Sequence, residues 1–244
     1  MNSLVNDYFT NIKNLLDQIL STQNKNIELA ADIIADAVMA DGWLYVFGTG
    51  HSHMIAEELF YRAGGLVRVY PILDTALMLH EGAVKSSALE RLSGYAKCLF
   101  DDYPVTAKDA ILIVSHSGRN AIPVEMALEA KARGLTVIAL TNLSHSQAVS
   151  SRHSSGKRLF EIADVVINTC GEIGDASLEV NDIKIGPTST VTGSAIVNAL
   201  IIRVAEIFAK NNFSGEFFAS SNTDNGEVKN LQYIAKYKNF VRSL

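Results

Sequence analysis

Three short segments of the chain combine glycine with hydroxyl-bearing residues, the groups that can surround a small anion. The first, Gly48-Thr49-Gly50-His51-Ser52, sits between the apolar run at 43–47 and a helical stretch. Glycine lets the backbone turn tightly and approach a ligand closely. A helix N-terminus adds unpaired N–H groups and a partial positive charge. With Gly50 and the Ser52 hydroxyl, this makes an anion site that needs no lysine. A tight structural turn leaves the same mark on a sequence. The third glycine of the dinucleotide fingerprint is missing, so no nucleotide cofactor is expected.

The second segment, Ser115-His116-Ser117-Gly118-Arg119-Asn120, also joins an apolar run to a helical stretch. Asn120 suits a helix N-cap, and Pro123 is tolerated in a first turn. Hydroxyls and backbone N–H groups here match the several acceptor oxygens of a phosphate. The third, Gly186-Pro187-Thr188-Ser189-Thr190-Val191-Thr192, opens a long apolar helix with more hydroxyls than one cap requires.

These segments need a frame. Apolar residues at helical spacing predict helices over the first 40 residues, divided by the polar run 21–26 and ended by Asp41-Gly42. Five short apolar runs come next, at 43–47, 67–71, 110–115, 136–141 and 164–168, each suited to a buried parallel strand. Helical stretches at 53–62, 85–100 and 121–133 alternate with them. That order predicts an α/β fold with a doubly wound parallel sheet, in which ligands sit outside the carboxyl ends of the strands. Residues 144–157 read as a polar loop holding at most a short helix, of a kind that is often functional. The stretch 188–210 is apolar on nearly every face, which predicts a buried helix with one side on the sheet and the other on a second subunit. The tail, 211–244, carries a polar run and then a mixed helix.

Composition narrows the partners. The 244 residues are 48% hydrophobic, enough for one domain with a substantial core. A net charge of −5 provides no field for a polyanion, so no nucleic acid is expected. Cys98 and Cys170 form neither a disulfide framework nor a cysteine-rich zinc site. The N-terminus lacks the form of a signal peptide, and no clean apolar span is present. The expectation is a soluble, cytoplasmic protein with no membrane contact.

Together the G-x-G-x-S turn, the S-x-S-G turn, the Thr/Ser-rich helix start and the stretch AKARGLTVIALTN resemble the sugar isomerase (SIS) domain family over residues 27–210. The stretches GHSHMIAEELFYRAGG, SRHSSGKRLFEIAD and GPTSTVTGSAI resemble a bacterial subgroup of that family more narrowly. The resemblance implies a single domain built as a three-layer αβα sandwich on a five-stranded parallel sheet. It implies a phosphorylated sugar as ligand and a homodimer or homotetramer. Carried over, Ser52, Ser115 and Ser117 would hold the phosphate. Asn120 stands where such proteins often have Thr or Ser. Ser189 and Thr190 would line the sugar side or help with phosphate.

The family contains isomerases, an etherase and non-catalytic sensors, so the phosphate site leaves the reaction open. Aldose–ketose isomerisation needs a base beside the carbon alpha to a carbonyl and an acid for ring opening. Glu172, just after the fifth strand, is the expected base, and His80 the expected ring-opening acid. His51 is expected to donate a hydrogen bond to the sugar. Glu81, His53 and His153 remain further candidates, and Arg152, His153 and Lys157 could close over a phosphate. No metal is expected, because no H-x-x-x-H pattern or carboxylate cluster supplies its ligands.

Overall fold

The structure, a computed structural model, describes residues 3–223 and 225–244. Its centre is a parallel sheet in the order β2-β1-β3-β4-β5, formed by β1 (Leu44–Gly48), β2 (Val69–Ile72), β3 (Ala110–Val114), β4 (Thr136–Thr141) and β5 (Val165–Asn168). β1 lies between two partners: Leu44 to Gly48 pair with Ala110 to Val114 on one side, and Leu44 to Phe47 pair with Val69 to Ile72 on the other.

Side chains alternate across the strands and divide the core in two. Leu44, Val46, Leu112 and Ile138 pack beneath helices α1 (Leu4–Met39) and α7 (Ser189–Lys210), against Ile34, Leu200 and Val204. Tyr45, Phe47, Ile111, Ile113 and Val137 face the other way, toward Phe100, Ile122 and Met126. Helices therefore cover both faces of one parallel sheet, as the alternating pattern requires.

The N-terminal region is one 36-residue helix rather than two. Residues 21–26 include neither glycine nor proline, so their polarity alone does not break the helix. Gln23 keeps the buried stripe in register between Ile19 and Ile27, and its Oε1 accepts the Asn168 N–H at 3.1 Å. The expected helix at 85–100 is instead two, α3 (Ala83–Leu89) and α4 (Tyr95–Asp101), parted at Gly94, whose φ is 88°.

Among the described residues the remaining α-helices are α2 (His53–Leu59), α5 (Ala121–Ala132), α6 (Leu143–Ala148) and α8 (Gly226–Tyr237). α6 is the short helix of the polar loop. By length and composition α7 could cross a membrane, but half of its most apolar window is buried in the domain. Its outer side keeps Ile202 63% exposed.

One element carries no clear mark in the sequence. β6 (Ala176–Val180) and β7 (Ile183–Pro187) form an antiparallel hairpin between β5 and α7. Its two-residue turn, Asn181-Asp182, has φ values of 48° and 64°, the left-handed geometry that joins twisted strands tightly. Asparagine and aspartate tolerate that geometry, but without glycine the turn lacks the usual hairpin signal. The Tyr8 hydroxyl donates to the Pro187 carbonyl at 2.8 Å and ties α1 to the end of the hairpin.

Candidate functional site

The carboxyl ends of β1 and β3 and the start of α7 converge on a cleft of about 260 Å³. It is lined by His51, Ser52, Ile55, His116, Asp175, Pro187, Ser189 and Thr190. The three hydroxyl-rich segments therefore do meet, and four anticipated residues share the lining: His51, Ser52, Ser189 and Thr190. His116 and Asp175, which no motif pointed to as functional, join them.

The first turn is built by glycine. A Cβ on Gly48 would stand 2.5 Å from the Ser52 carbonyl oxygen, and Gly50 has a φ of 53°. The Gly50 N–H donates to the Leu77 carbonyl at 2.9 Å, so it is engaged within the protein. α2 is only seven residues long and begins through a single 3-10 turn, so its dipole is weak. The ligand-facing capacity of this turn rests on His51 and on the Ser52 hydroxyl, which makes no hydrogen bond among the described residues.

The second turn is more tightly internalised. The Ser115 hydroxyl accepts the Gly118 N–H at 3.2 Å, and Ser115 is buried. Ser117 is half-buried and its hydroxyl is uncommitted among the described residues. Asn120 occupies the N-cap position of α5, but its side chain does not cap. Its Nδ2 donates to Glu90 Oε1 at 2.7 Å, and its Oδ1 accepts Arg152 Nη1 at 2.8 Å. Glu90 Oε2 also accepts the Thr49 hydroxyl at 3.0 Å. One carboxylate thus clamps the first turn to the second. Burial pushes the Glu90 carboxyl up, against the opposing pull of Thr49 and of Arg91 and Arg152. Nothing in the motif pattern marks it, because α3 delivers it from 41 residues beyond Thr49.

The third segment is capped from within the chain. Asp175, at the base of the hairpin, accepts the N–H groups of Thr188 and Ser189 at 3.0 and 2.8 Å. It also accepts the Thr188 and Ser189 hydroxyls at 3.2 and 2.6 Å. Burial alone would raise this carboxyl. The Ser189 hydroxyl, the two amides and the nearby His116 outweigh it and hold Asp175 below the ordinary carboxylate value. A carboxylate therefore already occupies the anion position at the N-terminus of α7, leaving Thr190 as its exposed hydroxyl toward the cleft.

His116 is the least satisfied group in the site. Both ring nitrogens are buried without a hydrogen-bond partner among the described residues. The Glu172 backbone carbonyl approaches the ring without reaching hydrogen-bond geometry. Burial holds the imidazole below its usual value, with Asp175 pulling the other way, so it is neutral at neutral pH. The His145 ring packs edge-on at 5.1 Å and is itself lowered, first by burial and then by His116 and Arg119. His145 Nδ1 accepts the Gly174 N–H at 3.1 Å, which fixes its orientation. A neutral, half-buried imidazole on the lining of a polar cleft can accept and return a proton.

The expected catalytic pair borders the cleft without lining it. Glu172 is exposed, its side chain makes no hydrogen bond among the described residues, and it is absent from the cleft lining. His80 is exposed too and lies against His53, with ring centroids 5.4 Å apart. The loop of Arg152, His153 and Lys157 is pinned: Arg152 holds Asn120, His153 Nε2 lies 3.5 Å from Glu125, and the Ser151 hydroxyl donates to the Lys157 carbonyl at 2.7 Å.

This architecture has relatives. A family profile described as SIS domain matches residues 7–142. A UPF0309 protein of Thermoanaerobacter pseudethanolicus is 47% identical over 244 residues, spanning 98% of this chain and 99% of its own. Another from Halalkalibacterium halodurans is 43% identical over 239 residues, spanning 97% and 99%. Among solved structures, a phosphoheptose isomerase from Francisella tularensis aligns with a TM-score of 0.57 at 19% identity, over 84% of this chain and 100% of that one. The sugar isomerase domain of an RpiR transcription factor from Sphaerobacter thermophilus aligns with a TM-score of 0.52 at 21% identity, over 98% and 99%. At these identities the two structures share a fold with this chain.

Proposed function

This chain belongs to the SIS domain family, and from that premise we propose that its cleft binds a phosphorylated sugar or amino sugar and interconverts its aldose and ketose forms. The observation that carries the reading is His116: a half-buried neutral imidazole on the lining of the hydroxyl-bearing cleft, with both ring nitrogens buried and unpartnered among the described residues. In this reading the Ser52 hydroxyl, carried by the Gly50 turn, and the Ser117 hydroxyl meet the phosphate, with Ser115 buttressing the loop. His51 and Thr190 contact the sugar, and Ser189 holds Asp175. His116 takes the proton from the hydroxyl-bearing carbon beside the carbonyl, leaving an enediolate and an imidazolium; the hydroxyl proton passes from that carbon's oxygen to the former carbonyl oxygen, and the imidazolium returns its proton to the former carbonyl carbon. Asp175 steadies the transient imidazolium.

Glu172 as base and His80 as ring-opening acid are the competing assignment. Both would have to enter the cleft from outside its lining, through movement or from a second subunit. Exposed Phe9, Ile183 and Ile202 supply apolar surface for a homodimer or homotetramer. Two free cysteines suit a cytoplasmic setting. Because Asp175 is fully engaged, the cleft holds few proton-transfer groups, which favours a phosphosugar sensor as the second reading; a lyase or etherase would use the same cradle.

The test compares His116→Gln with Glu172→Gln by NMR turnover on sugar phosphates and by ligand titration. Loss of turnover with retained affinity in His116→Gln alone is the expected result. The reverse pattern would move the base to Glu172, and binding without turnover in the unaltered protein would make it a sensor.

A further inference from the structure

We infer that His53, Glu57 and His80 form a site for a single zinc-class divalent cation beside the 48–52 turn. His53 and Glu57 lie one helical turn apart on α2, so their side chains share a face. His80 comes from the segment after β2 and packs edge-on to His53 at 5.4 Å. One ligand atom from each of the three lies within 4.8 Å of the others. His53 Nε2 is 3.6 Å from Glu57 Oε1.

The orientation of His53 points the same way. Its side chain is 5% exposed, and its Nδ1 is hydrogen-bonded to the Gly50 carbonyl. A carbonyl can only accept, so Nδ1 carries a proton, and it is Nε2 that faces Glu57 and is placed to serve as the metal ligand. Imidazoles that bind metals are oriented in this way, through a hydrogen bond from the second ring nitrogen. An isolated His–Glu ion pair explains Glu57 but leaves the second imidazole without a purpose. His51, two residues away, lines the sugar cleft, so the two histidines serve different sites.

Chemistry selects the ion. Two imidazoles and one carboxylate suit zinc or its transition-metal neighbours, whereas magnesium and calcium favour all-oxygen sets. Bonds of about 2.0–2.2 Å need donors closer together than 4.8 Å. The exposed side chains of Glu57 and His80 can supply the movement while His53 stays fixed. Three protein ligands leave a coordination position for water. Because His53 is anchored on Gly50, the ion would brace the turn that carries Ser52 without lining the cleft.

Residue spacing alone does not reveal this site, since only the fold brings His80 to the H-x-x-x-E pair. The test is equilibrium dialysis of the full chain, stripped with chelator, against zinc, with magnesium as the control ion. Thermal melting is measured in parallel, because an ion that binds only the folded state must raise the melting temperature. One equivalent of zinc with a raised melting temperature is expected, and no response to magnesium. His80→Ala and Glu57→Gln alter exposed side chains and should each weaken zinc by at least about tenfold, with metal-free melting unchanged. His153→Ala should bind as the unaltered chain does. The inference is overturned if zinc does not bind stoichiometrically, or if His80→Ala and Glu57→Gln bind it undiminished.

Discussion

Replacing Glu90 with alanine should loosen both hydroxyl-bearing turns at once, because its two carboxylate oxygens hold Thr49 at 3.0 Å and Asn120 at 2.7 Å. Hydrogen bonds to a charged group contribute about 1.5–3 kcal/mol each, and the half-buried position favours the lower end, giving a loss of about 3–4 kcal/mol for the two. For a domain of this size each kcal/mol moves the melting temperature by about 2–4 °C, so a fall of roughly 6–16 °C is expected. Glu90→Gln keeps an acceptor for Asn120, and its amide can donate to the Thr49 hydroxyl, so it should cost less than about 1 kcal/mol.

The pH dependence supplies an independent check. Burial raises the folded-state value of Glu90, so the folded chain binds more protons than the unfolded chain between the ordinary glutamate value and the raised one. Stability contributed by the protonated acid is full below that window and is lost as pH rises through it. Glu90→Gln should remove this slope. Melting curves of the three proteins over about pH 4–8, with ligand titration of each, decide the matter. A melting temperature for Glu90→Ala within a degree or two of the unaltered chain, or an unchanged slope in Glu90→Gln, would refute the clamp.

Asp175→Ala should destabilise the start of α7 by about 1–3 kcal/mol, the sum of a lost N-cap and a lost anion at a helix N-terminus. Because Asp175 is held below its ordinary value, its contribution is present above the unfolded value and vanishes as pH falls through the folded one. Acid melting curves of Asp175→Asn should therefore be flatter than those of the unaltered chain. Gly48→Ala drives a Cβ to 2.5 Å from backbone. It should cost about 1–3 kcal/mol by overpacking and weaken phosphosugar binding by displacing Ser52, measured by calorimetry.

The sheet is legible in the sequence because its strands are short apolar runs bounded by turns, and its ligand edge is a consequence of parallel topology alone. Ser52, Ser189, Thr190 and His51 are reachable from the residue types just beyond the strand ends and at the start of the last long helix. His116 stands in plain view inside the S-x-S-G turn. Residue types alone offer no means to see that both its nitrogens are buried and unpartnered among the described residues. Glu90 and Asp175 act from elements outside the motifs: the first from the end of α3, the second from the base of a hairpin whose Asn-Asp turn lacks glycine. The polarity of residues 21–26 suggests a break in the N-terminal helix, whereas Gln23 carries the buried stripe across it. Contacts between segments far apart in sequence are what the pattern cannot supply.

The most direct test of the phosphosugar reading is the melting temperature of the unaltered chain against a panel of sugar phosphates, amino-sugar phosphates and their unphosphorylated parents. A ligand that binds only the folded state, at a concentration of about one hundred times its dissociation constant, adds about 2.7 kcal/mol. That corresponds to roughly 5–11 °C for a domain of this size. A shift of that order with one or more phosphorylated sugars, absent with their parents and lost in Ser52→Ala, is the expected result. No shift with any phosphosugar, or equal shifts with and without the phosphate, would contradict a phosphate cradle at this cleft.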